Sequence, residues 1–395
     1  MALVRRLVRS AASGPRRFWL ALGAALLLLV ALDVAARAIL LLFFMPRDVP
    51  RSLRADLSDL QRQQIAYYQE LNEKLRLDWR PYVHWRTRAL EGQYINVDDA
   101  GHRRTWQPES RDADGSSESS RIFMFGGSSM WGLGARDDQT IPSLVARQLV
   151  EQDRLDVAVE NHAVPGFVLS QEAIALAREL ARGNVPEVVV FCDGANDVLS
   201  AFVHHRAGWH VLAFEELNGP TYRIWNRSGL VRLSRRLQHR TSWGAHMHDG
   251  PRLDTLEALA AEVIDHYEQQ VAFVEKLAAA YGFPALFYWQ PVVFHKDELD
   301  GVETRAQQVD GIVHVNGIDF YAQGTSFGDL FRASAEQLAA SKLADNPNFH
   351  DLSEMFRDEP TQIFIDFCHT TEEANAEVAQ RMAGDIREAL SEGGG

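Results

Sequence analysis

Four short stretches of this chain carry residue types that ester chemistry uses. They are FGGSS at 125–129, NHAVPG at 161–166, DGAND at 193–197 and DFCH at 366–369. Hydrolysis of an ester needs a nucleophile and a base that takes its proton. It also needs hydrogen-bond donors that already point at the oxyanion formed in the transition state. A serine, a histidine, an aspartate and an asparagine in these stretches meet those needs.

Each of these side chains has a candidate role. Ser128 is the expected nucleophile, His369 the general base, and Asp366 the partner that orients the imidazole. Asp366 and His369 are three residues apart, so one turn can place the carboxylate beside the ring. The backbone N–H groups of Ser128 and Gly166 and the side-chain amide of Asn196 are the expected oxyanion donors.

The elements that must position these residues alternate along the chain. Short apolar runs predict five strands, at 121–125, 156–160, 187–191, 284–289 and within 348–356. Helical patterns predict helices near 140–152, 170–182, 255–281 and 371–391. Alternating strands and helices form a parallel sheet covered on both faces, with reactive residues at the carboxyl ends of its strands. The sequence therefore predicts an α/β domain with all four stretches at one sheet edge.

In chain order, the four stretches resemble the four sequence blocks of the SGNH (GDSL-type) hydrolases. The resemblance covers about 121–391 and implies a flavodoxin-like three-layer α/β/α sandwich with a five-stranded parallel sheet. It implies the same nucleophile, base, orienting carboxylate and oxyanion donors, and no metal or organic cofactor. Gly127 departs from the family pattern, which usually has aspartate there, and Ala195 replaces a glycine. The segment 95–106 is also similar to one that precedes the first block in some membrane-anchored bacterial members.

Two other serines compete with the expected nucleophile. Ser129 would shift the register by one residue. Ser326 lies in GTSFG at 324–328, which matches the G-x-S-x-G nucleophile elbow of another hydrolase fold. That pattern requires a buried strand before the serine, and the preceding segment is polar and broken by Gly317. A flexible loop is the favoured interpretation of GTSFG.

Two helix starts are predicted from capping residues. Ser170 is the expected N-cap of the helix at 170–182. Thr370 and Glu373 fit a capping box at the start of the last helix. Because that helix would begin beside His369, a purely structural role for this histidine stays open.

The N-terminal region predicts a membrane anchor. Residues 18–45 are apolar apart from Asp33 and Arg37, which are four apart and could pair on one helix face. A helix of that length reaches about 42 Å, enough to span the bilayer core. The tail 1–17 has five arginines and no acid, which predicts a cytoplasmic N-terminus and an extracytoplasmic body. The alternative is a signal peptide that is cleaved near Ala36.

Residues 46–120 are polar and connect the anchor to the predicted hydrolase domain. The segment 58–77 has helical spacing and predicts a membrane-proximal helix. The segment 92–106 predicts a hairpin with Asp99 and Gly101 in its turn. Residues 107–120 predict a solvated linker.

The insertion predicted at 201–250 has two notable features. It holds six histidines, but they lack regular ligand spacing and a cysteine partner, so no metal site is predicted. The segment 223–240 has six arginines and no acid. A solvated face that pairs with the acidic body is the favoured interpretation, and a basic amphipathic helix on lipid headgroups or an anionic substrate is the alternative.

Four further residues are candidates for lining a substrate pocket. Trp131 follows the nucleophile, and Trp289, Gln290 and His295 follow the fourth strand at the same sheet edge. The alternative is that these residues belong to the core and to loops.

Composition excludes several classes of protein. The formal net charge of −14 repels phosphate backbones, so nucleic-acid binding is not expected. The two cysteines, Cys192 and Cys368, do not form a disulfide scaffold or a zinc-type pair. Two buried thiols are favoured over a disulfide between them.

The sequence thus predicts a single-pass membrane protein whose extracytoplasmic domain is a serine ester hydrolase. Its expected partners are the membrane and a small-molecule, glycan or lipid ester. One alternative is an O-acyltransferase, such as an O-acetyltransferase for an exported glycan, that uses the same residues. Another is a non-catalytic glycan- or envelope-binding module. The acyl group and the oligomeric state are not predicted.

Overall fold

The computed structural model describes most of the chain. The described residues are 2–43, 59–108, 119–211, 228–231, 233, 253–307, 312–315, 318–321 and 324–393. Two compact units make up the chain. The first contains residues 1–55, 215–249 and 314–318, and the second contains 56–214, 250–313 and 319–395.

The first unit contains the long N-terminal helix α1, Ala2–Phe43. Within it, Phe18–Ile39 is long and apolar enough to cross a membrane. The predicted pair forms, with Arg37 Nε 2.8 Å from Asp33 Oδ2. The hydroxyl of Ser228 donates to Asp33 Oδ1 at 2.6 Å, so a residue of the insertion contacts this helix at its charged pair.

The described strands are β1 Leu77–Arg80, β2 His84–Thr87, β3 Ser120–Gly126, β4 Val157–Asn161, β5 Val188–Asp193, β6 Ala285–Trp289, β7 Ile312–Val315, β8 Ile318–Tyr321 and β9 Phe349–Asp351. All of them lie in the second unit except β7 and β8, which have residues in both units. The helices of the second unit are α2 Asp59–Lys74, α3 Ser128–Trp131, α4 Ile141–Arg147, α5 Leu169–Ala181, α6 Ala195–His204, α7 Leu253–Tyr281, α8 Gly301–Gln307, α9 Gly324–Ala339 and α10 Glu372–Gly393.

Five of the strands form one parallel sheet in the order β4-β3-β5-β6-β9. Numbered along the sheet-forming part of the chain, this is the flavodoxin order 2-1-3-4-5. Every residue of β5 and β6 is buried, as expected for strands that helices cover on both faces. The predicted α/β fold and its five strands are therefore confirmed.

The segment before the sheet packs within the same unit. A helix is present within the predicted segment 58–77 as α2, and β1 pairs with β2 in an antiparallel ladder. The predicted hairpin turn is also present, because Gly101 N donates to Asp98 O at 2.9 Å and Gly101 has a φ of 80°. Past this turn, Arg103 bridges to Asn161 at the end of β4. The segment is thus joined directly to the sheet.

Both predicted helix caps are wrong by one residue or more. Helix α5 begins at Leu169, and the residue at its N-cap is Val168. The side chain of Gln171 accepts the N–H of Val168 at 3.3 Å. Ser170 lies inside the first turn and hydrogen bonds to His266 Nε2 at 2.8 Å.

At the start of α10, the hydroxyl of Thr370 donates to Asn375 Oδ1 at 2.6 Å and does not cap the helix. Thr371 caps it instead and accepts the N–H of Ala374 at 3.3 Å. A third prediction also fails, because GTSFG at 324–328 forms the first turn of α9 rather than a loop.

Helix α6 continues to His204, four residues into the predicted insertion. Most of that insertion, including 234–250 with three of its histidines, lies outside the described residues.

A buried ion pair fastens the segment that leads to the last helix. Lys296 Nζ lies 2.6 Å from Glu303 Oε2, and both side chains are at most 1% exposed. The other oxygen of Glu303 accepts the N–H groups of Ile363 and Phe364 at 2.8 and 3.0 Å. Lys296 also donates to Thr361 O at 2.7 Å. These four contacts fix the chain just before Asp366.

Replacement of Glu303 by alanine should therefore destabilise the protein strongly. The change leaves the buried Lys296 without a counter-charge and two N–H groups without an acceptor, at a cost of about 3–5 kcal/mol. Urea unfolding of the full chain in detergent measures the loss. Glu377→Ala, at an exposed position of α10, is the control and should change the free energy of unfolding by less than about 0.5 kcal/mol. Equal effects of the two changes would contradict this account.

Candidate active site

Ser128, His369 and Asp366 form one chain of hydrogen bonds. Ser128 is the first residue of α3, directly after the carboxyl end of β3. His369 Nε2 lies 2.6 Å from Ser128 Oγ, and His369 Nδ1 lies 2.6 Å from Asp366 Oδ2. The second carboxylate oxygen of Asp366 accepts the N–H groups of Cys368 and His369 at 3.0 and 2.8 Å. These bonds orient the carboxylate and the imidazole toward the serine hydroxyl.

The electrostatics of the pair favour a charged imidazole. Burial alone would lower the pKa of His369, but the Asp366 carboxylate outweighs it and holds that pKa well above its ordinary value. Burial alone would raise the pKa of Asp366, but His369 and two backbone N–H groups keep it below its ordinary value. The imidazole can therefore accept a proton from Ser128 and hold it as an ion pair.

The neighbouring serine has a different environment. The hydroxyl of Ser129 donates to Cys368 O at 3.1 Å and accepts from Gln290 Nε2 at 3.1 Å. Neither partner is a base. Ser129 instead ties the turn after β3 to the loop that carries His369, and Gln290 supports both.

Asn196 connects the turn at Ser128 to the loop that carries Gly166. Its Nδ2 donates one hydrogen to Phe167 O at 2.7 Å, which leaves the second hydrogen for another acceptor. A Cβ atom on Gly127 would lie 2.2 Å from this nitrogen. Gly127 has a φ of −79°, so the position needs a glycine for space rather than for conformation. The amide occupies the room that a side chain at position 127 would take.

Gly166 lies in a tight turn of the loop after β4. Phe167 N donates to Val164 O at 3.1 Å, and Gly166 has a φ of 81°. Pro165 followed by a glycine of positive φ is the sequence pattern of a type II turn. The indole N–H of Trp85 donates to Pro165 O at 2.9 Å, so strand β2 supports this turn from outside the sheet.

A buried arginine organises the loop that follows Ser128. Arg103 is 1% exposed, and its guanidinium lies 4.4 Å above the ring of Trp131. It donates to the carbonyl oxygens of Trp131, Gly132 and Ala135 at 3.1, 2.5 and 2.6 Å. These groups lie at the end of α3 and just beyond it, where carbonyls lack helical partners.

Sequence reasoning missed the supporting residues Trp85 and Arg103. Their partners are up to 80 residues away in the sequence, so no local pattern indicates them. The available signal was the position of Arg103 just after the predicted hairpin turn, within the segment 95–106 that is similar to a family sequence.

The predicted pocket residues lie in the interior. Trp131 is 0% exposed, so the expectation that it forms a pocket wall is corrected to a core position under Arg103. Trp289 is 2% exposed and packs on Tyr267, with ring centroids 5.1 Å apart. Gln290 supports two loops, as described above. His295 is also buried, and its Nδ1 lies 3.3 Å from Glu354 Oε1.

Three carboxyl groups are buried beside the loops of the site. Glu172 is on α5, Asp193 ends β5, and Asp197 follows Asn196 on α6. Burial raises the pKa of Asp197 to about 7 and holds the pKa values of Glu172 and Asp193 well above their ordinary range. The neighbouring charge of Asp193 adds to burial in raising the pKa of Glu172.

Both cysteines are buried and free, as the sequence predicted. Within the part of the chain that the structure describes, two groups of residues have the spacing of metal ligands, namely His102, Glu160 and His162, and Asp366, Cys368 and His369. The second group contains the hydrogen-bonded Asp366–His369 pair. In the first group, Arg86 donates to His102 Nε2 at 2.9 Å and Arg121 donates to Glu160 Oε1 at 2.9 Å. Guanidinium groups thus hydrogen bond to two of its three side chains.

No protein-family model matches the chain, and no curated protein matches its sequence. Solved structures are similar to about two thirds of it. An acetyl xylan esterase, AlAXEase, is 15% identical, with 67% of this chain and 99% of that chain covered and a TM-score of 0.33. A lipase/acylhydrolase from Enterococcus faecalis is 14% identical, with 68% and 96% covered and a TM-score of 0.36.

The acetylxylan esterase Axe2 from Geobacillus stearothermophilus is 12% identical, with 68% and 94% covered and a TM-score of 0.32. These structural neighbours are esterases and an acylhydrolase. Identities and TM-scores this low do not assign the chain to a family, so its function is inferred from the geometry of the site.

Gly127→Ala should destabilise the protein by about 1–3 kcal/mol, because the added methyl group overlaps the amide of Asn196. The matched control is Gly384→Ala on α10, where a Cβ atom meets nothing within 4 Å. That change should be neutral or stabilise by up to about 1 kcal/mol. Thermal unfolding of both variants gives the comparison. A Gly127→Ala protein as stable as Gly384→Ala would show that the amide does not need this space.

Proposed function

We propose that this protein is a serine ester hydrolase that works through an acyl-enzyme. The observation that carries the proposal is the unbroken series of hydrogen bonds from Ser128 through His369 to Asp366, with both links at 2.6 Å. A hydroxyl, an imidazole and a carboxylate in this order form the arrangement that activates a serine for acyl transfer. Its position at the carboxyl edge of a parallel sheet is where such folds place their ligands.

The mechanism follows from the contacts. Ser128 Oγ attacks the ester carbonyl carbon while His369 Nε2 takes its proton, and the resulting imidazolium is stabilised by Asp366. The N–H groups of Ser128 and Gly166 and the second hydrogen of the Asn196 amide bind the oxyanion. The tetrahedral intermediate collapses when His369 gives the proton to the leaving alcohol. Water then attacks the acyl-enzyme with His369 as base, which releases the acid and restores Ser128.

We also propose that α1 anchors the protein and that the hydrolase domain lies outside the cytoplasm. The apolar segment Phe18–Ile39 and the five arginines before it support this orientation. We expect the protein to be retained in membranes after a carbonate wash. We also expect a protease added on the extracytoplasmic side of the membrane to cleave the domain. Recovery of a soluble form that begins near Ala36 would instead indicate a cleaved signal peptide.

A fluorophosphonate probe should label Ser128 and no other serine. Peptide mapping of the labelled full-length protein identifies the modified residue. Ser128→Ala should abolish labelling and lower kcat on a p-nitrophenyl ester by about 10⁴-fold or more. Ser326→Ala is the control and should leave both unchanged. Label on Ser129 or Ser326, or equal turnover by wild type and Ser128→Ala, would overturn the proposal.

The dependence of activity on pH should report the raised pKa of His369. The base must be neutral, so kcat/KM should rise with pH, with a midpoint above the ordinary histidine value of about 6.5. Asp366→Asn removes the charge that raises this pKa, so it should move the midpoint down and lower kcat by about 10³–10⁴-fold.

Initial rates over pH 5–9 for the wild type, Asp366→Asn and the control His350→Gln test this. His350→Gln changes a histidine on β9 that pairs with Asp385 rather than with the site, so its midpoint should equal that of the wild type. A wild-type midpoint at or below 6.5 contradicts the assignment of Asp366.

A further inference from the structure

A cavity lies beside the loop that carries Gly166. Its volume is about 270 Å³, which corresponds to roughly nine water molecules. The β1–β2 hairpin, helix α5 and the loop 162–167 bound it. Its lining residues include Arg80, Arg86, Arg178, Arg182, Glu179 and His102.

The charges around this cavity do not balance. Four guanidinium groups line it, and Glu179 is the only carboxylate among the lining residues. Glu179 is already engaged, because it pairs with Arg182 and accepts from Asn184 Nδ2 at 2.7 Å. The chain as a whole is acidic, with a formal net charge of −14. The cavity is therefore a local site of positive potential on an acidic protein.

Arg86 is the central cation of this group. Its guanidinium donates to His102 Nε2 at 2.9 Å, and no carboxylate of the described residues lies within ion-pair distance of it. Burial lowers the pKa of Arg86, and the charges of Arg182 and Arg80 lower it further. The charges of Glu179 and Asp98 act in the opposite direction and raise it. Burial, His162 and Arg86 hold the pKa of His102 far below its ordinary value, so this imidazole is neutral and accepts the hydrogen bond.

Two neighbours leave donors for a ligand. Arg178 uses one nitrogen to donate to Pro81 O at 2.7 Å, which leaves the rest of its guanidinium. Arg80 is exposed at the end of β1. A Cβ atom on Gly101 would lie 2.4 Å from Arg86 Nε, so the glycine of the hairpin turn makes room for this guanidinium.

A cation fits this cavity poorly, although His102, Glu160 and His162 stand close enough to hold one. The guanidinium groups of Arg86 and Arg121 hydrogen bond to two of these three residues and would repel a metal ion. Guanidinium groups instead match the oxygens of a phosphate, which they bind with paired hydrogen bonds.

We propose that this cavity is a binding site for a phosphate group, either as free orthophosphate or as the phosphate of a small organic ester. A phosphate dianion offsets most of the excess of three positive charges, which a single carboxylate would not. The cavity has space beyond the phosphate for a small substituent. The site is separate from Ser128 and does not depend on the proposed esterase activity.

The cavity shares a wall with the proposed oxyanion loop. Trp85, Val164 and Phe167 line it, and Trp85 holds Pro165 O through its indole N–H. Phe167 O in turn accepts from Asn196. A bound phosphate therefore contacts the residues that hold Gly166 in place.

Isothermal titration calorimetry of the full chain in detergent tests the proposal. The probes are inorganic phosphate and glycerol 3-phosphate, and the reference is a titration with chloride at equal ionic strength. Both probes should bind with one site per chain. Tighter binding of glycerol 3-phosphate would indicate an esterified ligand, and tighter binding of inorganic phosphate would indicate the free ion.

Arg86→Gln and Arg182→Gln should each weaken phosphate binding at least tenfold. The side chain of Arg182 is 51% exposed, so its replacement keeps the fold even if Arg86→Gln does not. Arg387→Gln, which removes an equally exposed arginine on α10, is the matched control and should bind like the wild type. The proposal is overturned if phosphate does not bind above the chloride reference, if all three variants bind equally, or if Zn²⁺ binds with a dependence on His102.

Discussion

The side-chain amide of Asn196 sets the spacing between the loops on which the site depends. One hydrogen bond joins its nitrogen to Phe167 O, and the same nitrogen fills the space above Gly127. The residue before Phe167 and the residue after Gly127 are two of the proposed oxyanion donors. Any displacement of Asn196 would therefore move the Gly166 donor relative to Ser128. The glycine at position 127, where the family pattern usually has aspartate, leaves the space for this close approach.

The polar segment between α1 and the sheet has a structural role in the candidate site. Trp85 holds the turn at Pro165, and Arg103 holds three carbonyl groups after α3. Tyr67 of α2 adds a third support, since its hydroxyl accepts from Gly134 N at 2.9 Å. The segment is part of the machinery that positions the proposed catalytic groups, and a hydrolase domain that began at residue 121 would lack these supports.

Local sequence patterns were sufficient to predict the first four strands of the sheet, because each is rich in apolar residues whose burial does not depend on knowing the neighbouring strand. The fifth, Phe349–Asp351, has a mixed sequence and was predicted only to lie within 348–356. They also predicted that Ser128 and Asn196 follow the ends of β3 and β5, and strand ends in a parallel sheet converge on one edge. The supports could not be predicted, because a polar side chain carries no signal of which distant carbonyl it meets. The predicted cap of α10 was wrong for a related reason. Two adjacent threonines are equivalent in sequence, and only the contact of Thr370 with Asn375 in the structure distinguishes them.

The three buried carboxyl groups near Asn196 have a consequence for proton balance. The formal charge of −14 treats Glu172, Asp193 and Asp197 as ionised, yet burial raises the pKa of each. In an unfolded chain these groups ionise near pH 4. Folding between pH 4 and about 7 therefore takes up protons, and the stability from these groups is complete below pH 4 and decreases as the pH rises. At neutral pH the folded protein is less acidic than its composition implies.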